Sequence, residues 1–137
     1  MKQHSTNYKN TLIEVAEDTR ATESVEPPKK FPPSIAELQH QVISENPYRY
    51  SSDDVIFGIW ANRNGVEEAD MEEARVKFFS KGQPCLRTSP LAQTYGYGIH
   101  SDGDGKVAVY GMETKEYRAL QDDPSITKVQ AMRSKRA

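Results

Sequence analysis

Two apolar runs separated by two Asp-Gly pairs constrain the fold of this chain more than any other feature of its sequence. The runs cover residues 97–100 and 106–112, and the segment 101–105, SDGDG, lies between them. Glycine adopts the positive φ angles that tight turns between strands require, and Asp-Gly is typical of such turns. The pattern therefore predicts a β-hairpin over these residues.

The patterns upstream of the hairpin predict one strand and three helices. Residues 10–16 alternate along the segment and contain β-branched side chains, which favours a strand. Helices are expected over 34–45, 52–63 and 68–80. In each of these segments an apolar stripe at helical spacing is bounded by capping residues, glycine or proline.

The second of these helices is expected to begin with Ser52 as its N-cap. Asp53 and Asp54 follow in the first turn, where the helix dipole favours negative charge. A buried strand over 55–60, VIFGIW, is the alternative interpretation, because its residues also suit a sheet.

The last part of the chain supplies further elements. Ser89-Pro90 predicts a short helical turn, and residues 113–121 are compatible with a helix. Residues 124–133 suit a helix and a strand about equally. The sequence therefore predicts an α+β fold, in which several helices pack on a small, mostly antiparallel sheet that contains the β-hairpin.

A chain of 137 residues is long enough for one hydrophobic core, so one domain is expected. We expect residues 1–9 to form a flexible N-terminal tail and residues 10–132 to form a single α+β domain. Four prolines within 27–33 indicate that 17–33 is a surface loop, because proline removes backbone donors. Residues 133–137 are expected to form a basic C-terminal tail.

Composition excludes several classes of protein. Eighteen basic and 20 acidic residues give a net charge of -2, which does not suit a globally basic nucleic-acid binder. A single cysteine excludes an internal disulfide. No run of residues is apolar enough for a membrane span or a signal peptide, so the expected location is the cytoplasm without membrane contact. Contact with nucleic acid is not favoured, although basic residues gather near the C-terminus at Lys128, Arg133, Lys135 and Arg136.

The segment after the third helix is the first candidate for a binding site. Arg87 could bind an oxyanion in a bidentate manner and Lys81 could add a second positive charge. The hydroxyls of Thr88 and Ser89, with backbone N–H groups of the turn that Ser89 opens, could donate to the same anion. Ordinary capping of the turn is the alternative interpretation.

Cys85 and His100 form the second candidate, because a thiol nucleophile needs a nearby base or cation. No known cysteine-enzyme motif surrounds Cys85, and a free cysteine commonly packs as a small hydrophobic side chain. Asp102 and Asp104 are explained by the hairpin turn, so no metal or cofactor is expected. The aromatic residues Trp60, Tyr48 and Tyr50 could line a ligand pocket, but their positions on helix faces favour packing in the core.

Four segments resemble a family of small uncharacterised bacterial proteins known only as a domain of unknown function. They are NYKNTLIEVAED (7–18), ENPYRYSSDDVIF (45–57), FFSKGQPCLRTSPLAQTYGYGIH (78–100) and AMRSKR (131–136). The resemblance extends over 7–136 and is loosest over 19–33. It implies a bacterial cytosolic protein and supplies no activity, cofactor or catalytic residue.

We therefore expect a small cytosolic binding module without enzymatic activity. It would bind a small anionic ligand or a protein partner through Lys81, Arg87, Thr88 and Ser89. The alternative hypothesis is a cysteine-dependent enzyme or redox protein that uses Cys85 with His100.

Overall fold

The computed structural model describes residues 2–134, and within them five α-helices lie against a four-stranded sheet. The strands are β1 (Thr11–Glu14), β2 (Tyr97–Ser101), β3 (Val107–Gly111) and β4 (Thr127–Gln130). The helices are α1 (Ile35–Glu45), α2 (Ser52–Arg63), α3 (Met71–Phe78), α4 (Pro90–Gln93) and α5 (Lys115–Asp122). The α+β prediction is confirmed, while the last three residues of the expected basic tail, 135–137, lie outside the described residues.

The sheet is mixed and mostly antiparallel, with the strand order β3-β2-β1-β4. The predicted hairpin is present as β2 and β3, which pair in antiparallel register. In the centre of the sheet, Ile13 of β1 lies opposite Ile99 of β2 on one side and opposite Val129 of the parallel strand β4 on the other. Residues 127–130 are thus a strand, which settles the open choice for the end of the chain.

The two faces of the sheet carry different layers, because successive side chains of a strand point to opposite faces. Ile13, Ile99 and Val129 belong to the main core, to which α1, α2 and α4 also contribute. Leu12 and His100 are neighbours of Ile13 and Ile99 along their strands, so they lie on the opposite face. Helix α5 packs on that second face.

Helix starts follow the predicted capping chemistry, with one shift. Ser34 caps α1 by accepting a hydrogen bond of 3.2 Å from the N–H of Glu37. Helix α2 is capped by Ser51, one residue before the predicted Ser52. Its hydroxyl accepts from the N–H of Asp54 at 3.1 Å, and the Asp54 carboxylate accepts from the N–H of Ser51 at 3.0 Å. Ser51 is the N-cap rather than Ser52, because the third residue after Ser51 is Asp54, the acid that completes a capping box.

The third predicted helix has an irregular start. Residues Glu68–Asp70 form a 3-10 turn, and the α-helix α3 begins only at Met71 and ends at Phe78. Its predicted apolar stripe does pack against the α2 side chains Phe57 and Ala61. The longest helix of residues 2–134 has 12 residues, and none of these helices is long and apolar enough to cross a membrane.

The N-terminal segment is bound to the domain, in contrast to the flexible tail that its polar sequence predicted. Thr6 donates from its N–H and from its hydroxyl to Oδ1 of Asp53, both at 2.7 Å, and the Ser5 hydroxyl donates to Oδ2 at 3.0 Å. In return the N–H of Asp53 donates to Oδ1 of Asn7 at 2.9 Å. Polar residues hold this segment through hydrogen bonds, and such an attachment cannot be predicted from the spacing of apolar residues.

The proline-containing segment 17–33 has no helix or strand, as expected, but hydrogen bonds attach it to the domain. The N–H of Ser24 donates to Oε1 of Glu113 at 2.8 Å, and the N–H of Val25 donates to the carbonyl of Tyr95 at 2.9 Å. Further along, the side chain of Phe31 is 99% exposed. The segment therefore runs along the surface and is attached to the domain near its middle, at Ser24 and Val25.

We predict that the same glycine-to-alanine change has opposite effects at two positions. At Gly98 in β2, an added Cβ would lie 2.6 Å from Cδ2 of Tyr117, so Gly98→Ala should lower the free energy of unfolding by about 1–3 kcal/mol. At Gly58 in α2 nothing lies within 4 Å of the added Cβ, and Gly58→Ala should raise it by about 0.5–1 kcal/mol. Urea denaturation measures both, and a Gly98→Ala variant as stable as the wild type would contradict the packing of α5 on the sheet.

A second prediction concerns Asp53, whose side chain is 8% exposed. Asp53→Ala removes the acceptor of three hydrogen bonds from Ser5 and Thr6 and should lower the free energy of unfolding by about 2–4 kcal/mol. Asp122→Ala is the matched control, because this exposed carboxylate has no hydrogen-bond partner among residues 2–134. Equal effects of the two substitutions in urea denaturation would show that the N-terminal segment is not held through Asp53.

Candidate functional site

A groove of about 1000 Å³ lies among α1, α2, α3 and the segment 81–90. Its volume is at the upper end of the range for small-molecule sites. Most of its lining is apolar and comes from Ile35, Ile56, Ile59, Trp60, Ala74, Phe78, Pro84, Leu86 and Pro90.

Helix α2 presents one continuous stripe to the groove. Ile56, Ile59, Trp60 and Arg63 are spaced by three, four and seven residues, so they share one face of the helix. Trp60 is 39% exposed, and its ring packs against that of Phe78 with 5.0 Å between centroids. The expectation that Trp60 is a core residue is therefore wrong, because its side chain borders the groove and stays partly exposed.

The charges that line the groove all have one sign. Arg63, Lys77 and Lys81 are lining residues, and no aspartate or glutamate among residues 2–134 is. All three are exposed. The one ion pair within residues 2–134 joins Arg75 to Asp54 at 2.9 Å, so the three groove cations have no carboxylate partner in that part of the chain.

Of the residues predicted to bind an anion, Thr88 and Ser89 line the groove but use their hydroxyls internally. Thr88 donates to the carbonyl of Cys85 at 2.8 Å, and Ser89 donates to Oε1 of Gln39 at 2.5 Å. The N–H of Leu91 donates to Oγ of Ser89. The N–H groups of Ala92 and Gln93 both donate to the backbone carbonyl of Ser89. Ordinary capping therefore accounts for this turn, and its first N–H groups are not free for a ligand.

Arg87 is directed toward strand β4. Its Nε donates to the carbonyl of Gln130 at 2.7 Å, and its own carbonyl accepts from the N–H of Met132 at 2.7 Å. It is not among the residues that line the groove. Of the four predicted ligand-binding residues, Lys81 alone is both charged and part of the groove.

Cys85 and His100 lie on opposite sides of the sheet. The thiol of Cys85, half-buried, is 3.5 Å from the hydroxyl of Tyr8, a residue packed against the main core. The hydrogen bond between Tyr8 and Cys85, followed by burial, raises the pKa of the Tyr8 hydroxyl. His100 is on the second face with Leu12, so the structure does not bring the predicted nucleophile and base together.

His100 belongs to a different polar cluster. The hydroxyl of Tyr48 lies 2.7 Å from Nδ1 of His100 and 2.8 Å from the hydroxyl of Tyr110. Burial, with help from the bond to Tyr110, raises the pKa of Tyr48. Tyr48 has a φ of 59°, which is uncommon for a bulky side chain. Its hydroxyl therefore joins the loop after α1 to the hairpin, and Tyr48 is not the core residue that was expected.

Gln39 is a groove residue that the sequence analysis did not single out. It lines the groove from α1, and its side chain is only 7% exposed. It lies four residues after Ile35 and four before Ile43, so it interrupts the apolar stripe of α1. A polar residue inside an apolar stripe was the available signal. Arg63 and Lys77 gave no comparable signal, because they resemble ordinary solvent-exposed positions of a helix.

We predict that His100 makes stability depend on pH. Burial lowers its pKa below the ordinary 6.5, although Asp102 and Asp123 act in the opposite direction. As pH falls through about 6.5, the unfolded chain takes up the proton first. The contribution of His100 is therefore complete above that pH and is lost as pH falls toward its folded pKa.

His100→Gln should reduce the pH dependence of the free energy of unfolding between about pH 5 and 8, where ordinary carboxylates are already ionised. Glutamine can still hydrogen-bond to Tyr48. Urea denaturation at a series of pH values measures the slope, with His4→Gln in the N-terminal segment as the matched control. A slope that persists unchanged in His100→Gln would assign it to other groups.

Comparison with known proteins supplies a family and no activity. Neither curated proteins nor solved structures give a match. The model of one family, described as a family of unknown function (DUF6157), matches residues 3–137. That range is nearly the whole chain and confirms the resemblance seen in the sequence. The chain therefore belongs to this family of unknown function.

Proposed function

We propose that this protein is a non-enzymatic binding module for a small anionic ligand with an apolar body, held in the groove between α1, α2 and α3. The observation that carries the proposal is the one-sided charge of the groove. Arg63, Lys77 and Lys81 line it together with apolar side chains, and no acidic residue of the described part of the chain, 2–134, does.

The apolar part of the ligand follows from the lining. Exposed apolar surface costs free energy in water, and covering it is worth roughly 25 cal/mol per Å². Ile35 is 42% exposed and Trp60 is 39% exposed beside the groove. A ligand with a hydrocarbon or aromatic body would cover both.

The negative charge follows from the three cations. The chain as a whole is slightly acidic, so their grouping is local. None of them has a carboxylate partner within residues 2–134. A bound anion would supply the missing charge, and the apolar body beside it would exclude water and strengthen the attraction.

A small ligand suits this concave site better than a protein partner. The groove of about 1000 Å³ is comparable in volume to small-molecule sites, which are concave and mostly apolar with a few polar groups. Catalysis by Cys85 is not supported, because the hydroxyl beside its thiol belongs to Tyr8, whose raised pKa keeps that hydroxyl protonated at neutral pH, so it cannot take up the thiol proton.

We predict that dodecanoate quenches or shifts the fluorescence of Trp60, the single tryptophan, and binds more tightly than dodecyltrimethylammonium. The two ligands have the same chain and opposite charges. Lys77→Gln and Lys81→Gln should each weaken dodecanoate binding about two- to fivefold, as expected for exposed ion pairs.

Lys115→Gln on α5 is the matched control, because it removes an exposed lysine from the other face of the sheet. Its dissociation constant should equal that of the wild type. Equal affinity for the anionic and the cationic ligand, or equal loss in all three lysine variants, would contradict the proposal.

A further inference from the structure

Gln39 brings a nearly buried amide into the groove with only part of its hydrogen-bonding capacity used. Its carboxamide has one bond within residues 2–134, the 2.5 Å contact between Oε1 and the hydroxyl of Ser89. A glutamine can accept through its oxygen and donate twice through its nitrogen. Both donors of Gln39 therefore lack an acceptor in that part of the chain.

The orientation of the amide follows from this short contact. A separation of 2.5 Å suits O–H···O geometry and is too short for N–H···O, which begins at about 2.7 Å. The Ser89 oxygen already accepts from the N–H of Leu91, which leaves its hydrogen free to donate. Oxygen Oε1 thus faces Ser89, and the amide nitrogen faces away from it.

The amide nitrogen of Gln39 keeps some access to solvent. Among residues 2–134, no fully buried side-chain nitrogen or oxygen lacks a hydrogen-bond partner. Because Nε2 has no partner there, it cannot be fully buried, although the residue as a whole is 7% exposed. The space that Gln39 lines is the groove, so its N–H groups are donors for what enters it.

We propose that Gln39 is a specificity-determining residue that donates a hydrogen bond to an uncharged carbonyl oxygen of the ligand. The inference rests on the proposed function and narrows its ligand class. The ligand would have an apolar chain joined through a carbonyl to an anionic group, as in an N-acyl amino acid.

The carbonyl is uncharged because Gln39 is neutral and nearly buried. A carboxylate against this amide would lose hydration without a counter-charge, which is far more costly than burying a carbonyl. The exposed cations Lys77, Lys81 and Arg63 suit the charged group, since it can stay partly hydrated there. A ligand with two polar groups therefore satisfies both features of the groove.

N-nonanoylglycine and dodecanoate test this division of roles, because their chains have the same number of atoms and both end in a carboxylate. Only the first has an internal carbonyl. The measured quantity is the ratio of their dissociation constants, obtained from Trp60 fluorescence. Gln39→Met keeps the length of the side chain and removes the donor, and it should shift this ratio about three- to tenfold toward dodecanoate.

Gln41→Met is the control, since Gln41 is an exposed residue of the same helix outside the groove lining. It should leave the ratio unchanged. An unchanged ratio in Gln39→Met, with both ligands still bound, overturns the role of Gln39 and leaves the proposed function standing. Failure of both ligands to bind the wild type overturns the two together.

A second measurement uses the wild-type protein alone and so does not depend on whether a variant folds. In the wild type, the side-chain amide proton signals of Gln39 should move in the NMR spectrum when N-nonanoylglycine binds, and move less with dodecanoate. Equal responses to the two ligands would overturn the proposed hydrogen bond.

Discussion

The rest of the structure depends on the burial of strand β1 on both of its faces. Leu12 is 0% exposed and Ile13 is 1% exposed, although their side chains point in opposite directions. A strand whose two faces are both apolar needs a layer on each side, because either face left in water would cost free energy. The main helices cover Ile13 and α5 covers Leu12, while β1 also joins the hairpin to β4. The separation of the groove from the His100 cluster follows from this arrangement.

Local chemistry allowed much of the fold to be predicted from the sequence. The hairpin required only the glycine-containing turn between apolar runs, and Ser34 specified the start of α1. The parallel pairing of β4 with β1 could not be predicted, because its partner residues, such as Ile13 and Val129, lie more than a hundred positions apart. The hydrogen bonds between Thr6 and Asp53 could not be predicted either, because these residues are also distant in the sequence, 47 positions apart.

The candidate site was only partly predictable, because the groove is formed by elements that are distant in sequence. Lys81 was identified, whereas the anion-binding interpretation of the turn at Ser89 requires free donors, and the structure gives those donors partners, as in ordinary capping. Cys85 and His100 are 15 positions apart in the sequence. The alternation of side chains along a strand already indicated that they are separated, because Ile99 points into the main core and His100, the next residue, must point to the other face.

The contrast between Arg75 and the groove cations is the strongest support for the proposed anionic ligand. Arg75 pairs with Asp54 at 2.9 Å and lies 5.7 Å from the ring centroid of Phe57, so its charge has a structural role within the protein. Lys77, two residues later on the same helix, has neither kind of contact within residues 2–134. Exposed cations cost little while water surrounds them, which lets the free protein keep the groove open. The same charges interact more strongly once an apolar ligand displaces that water, because the local dielectric constant falls. Under the proposed function, a groove with this composition would discriminate against ligands that have only an apolar body or only a charge.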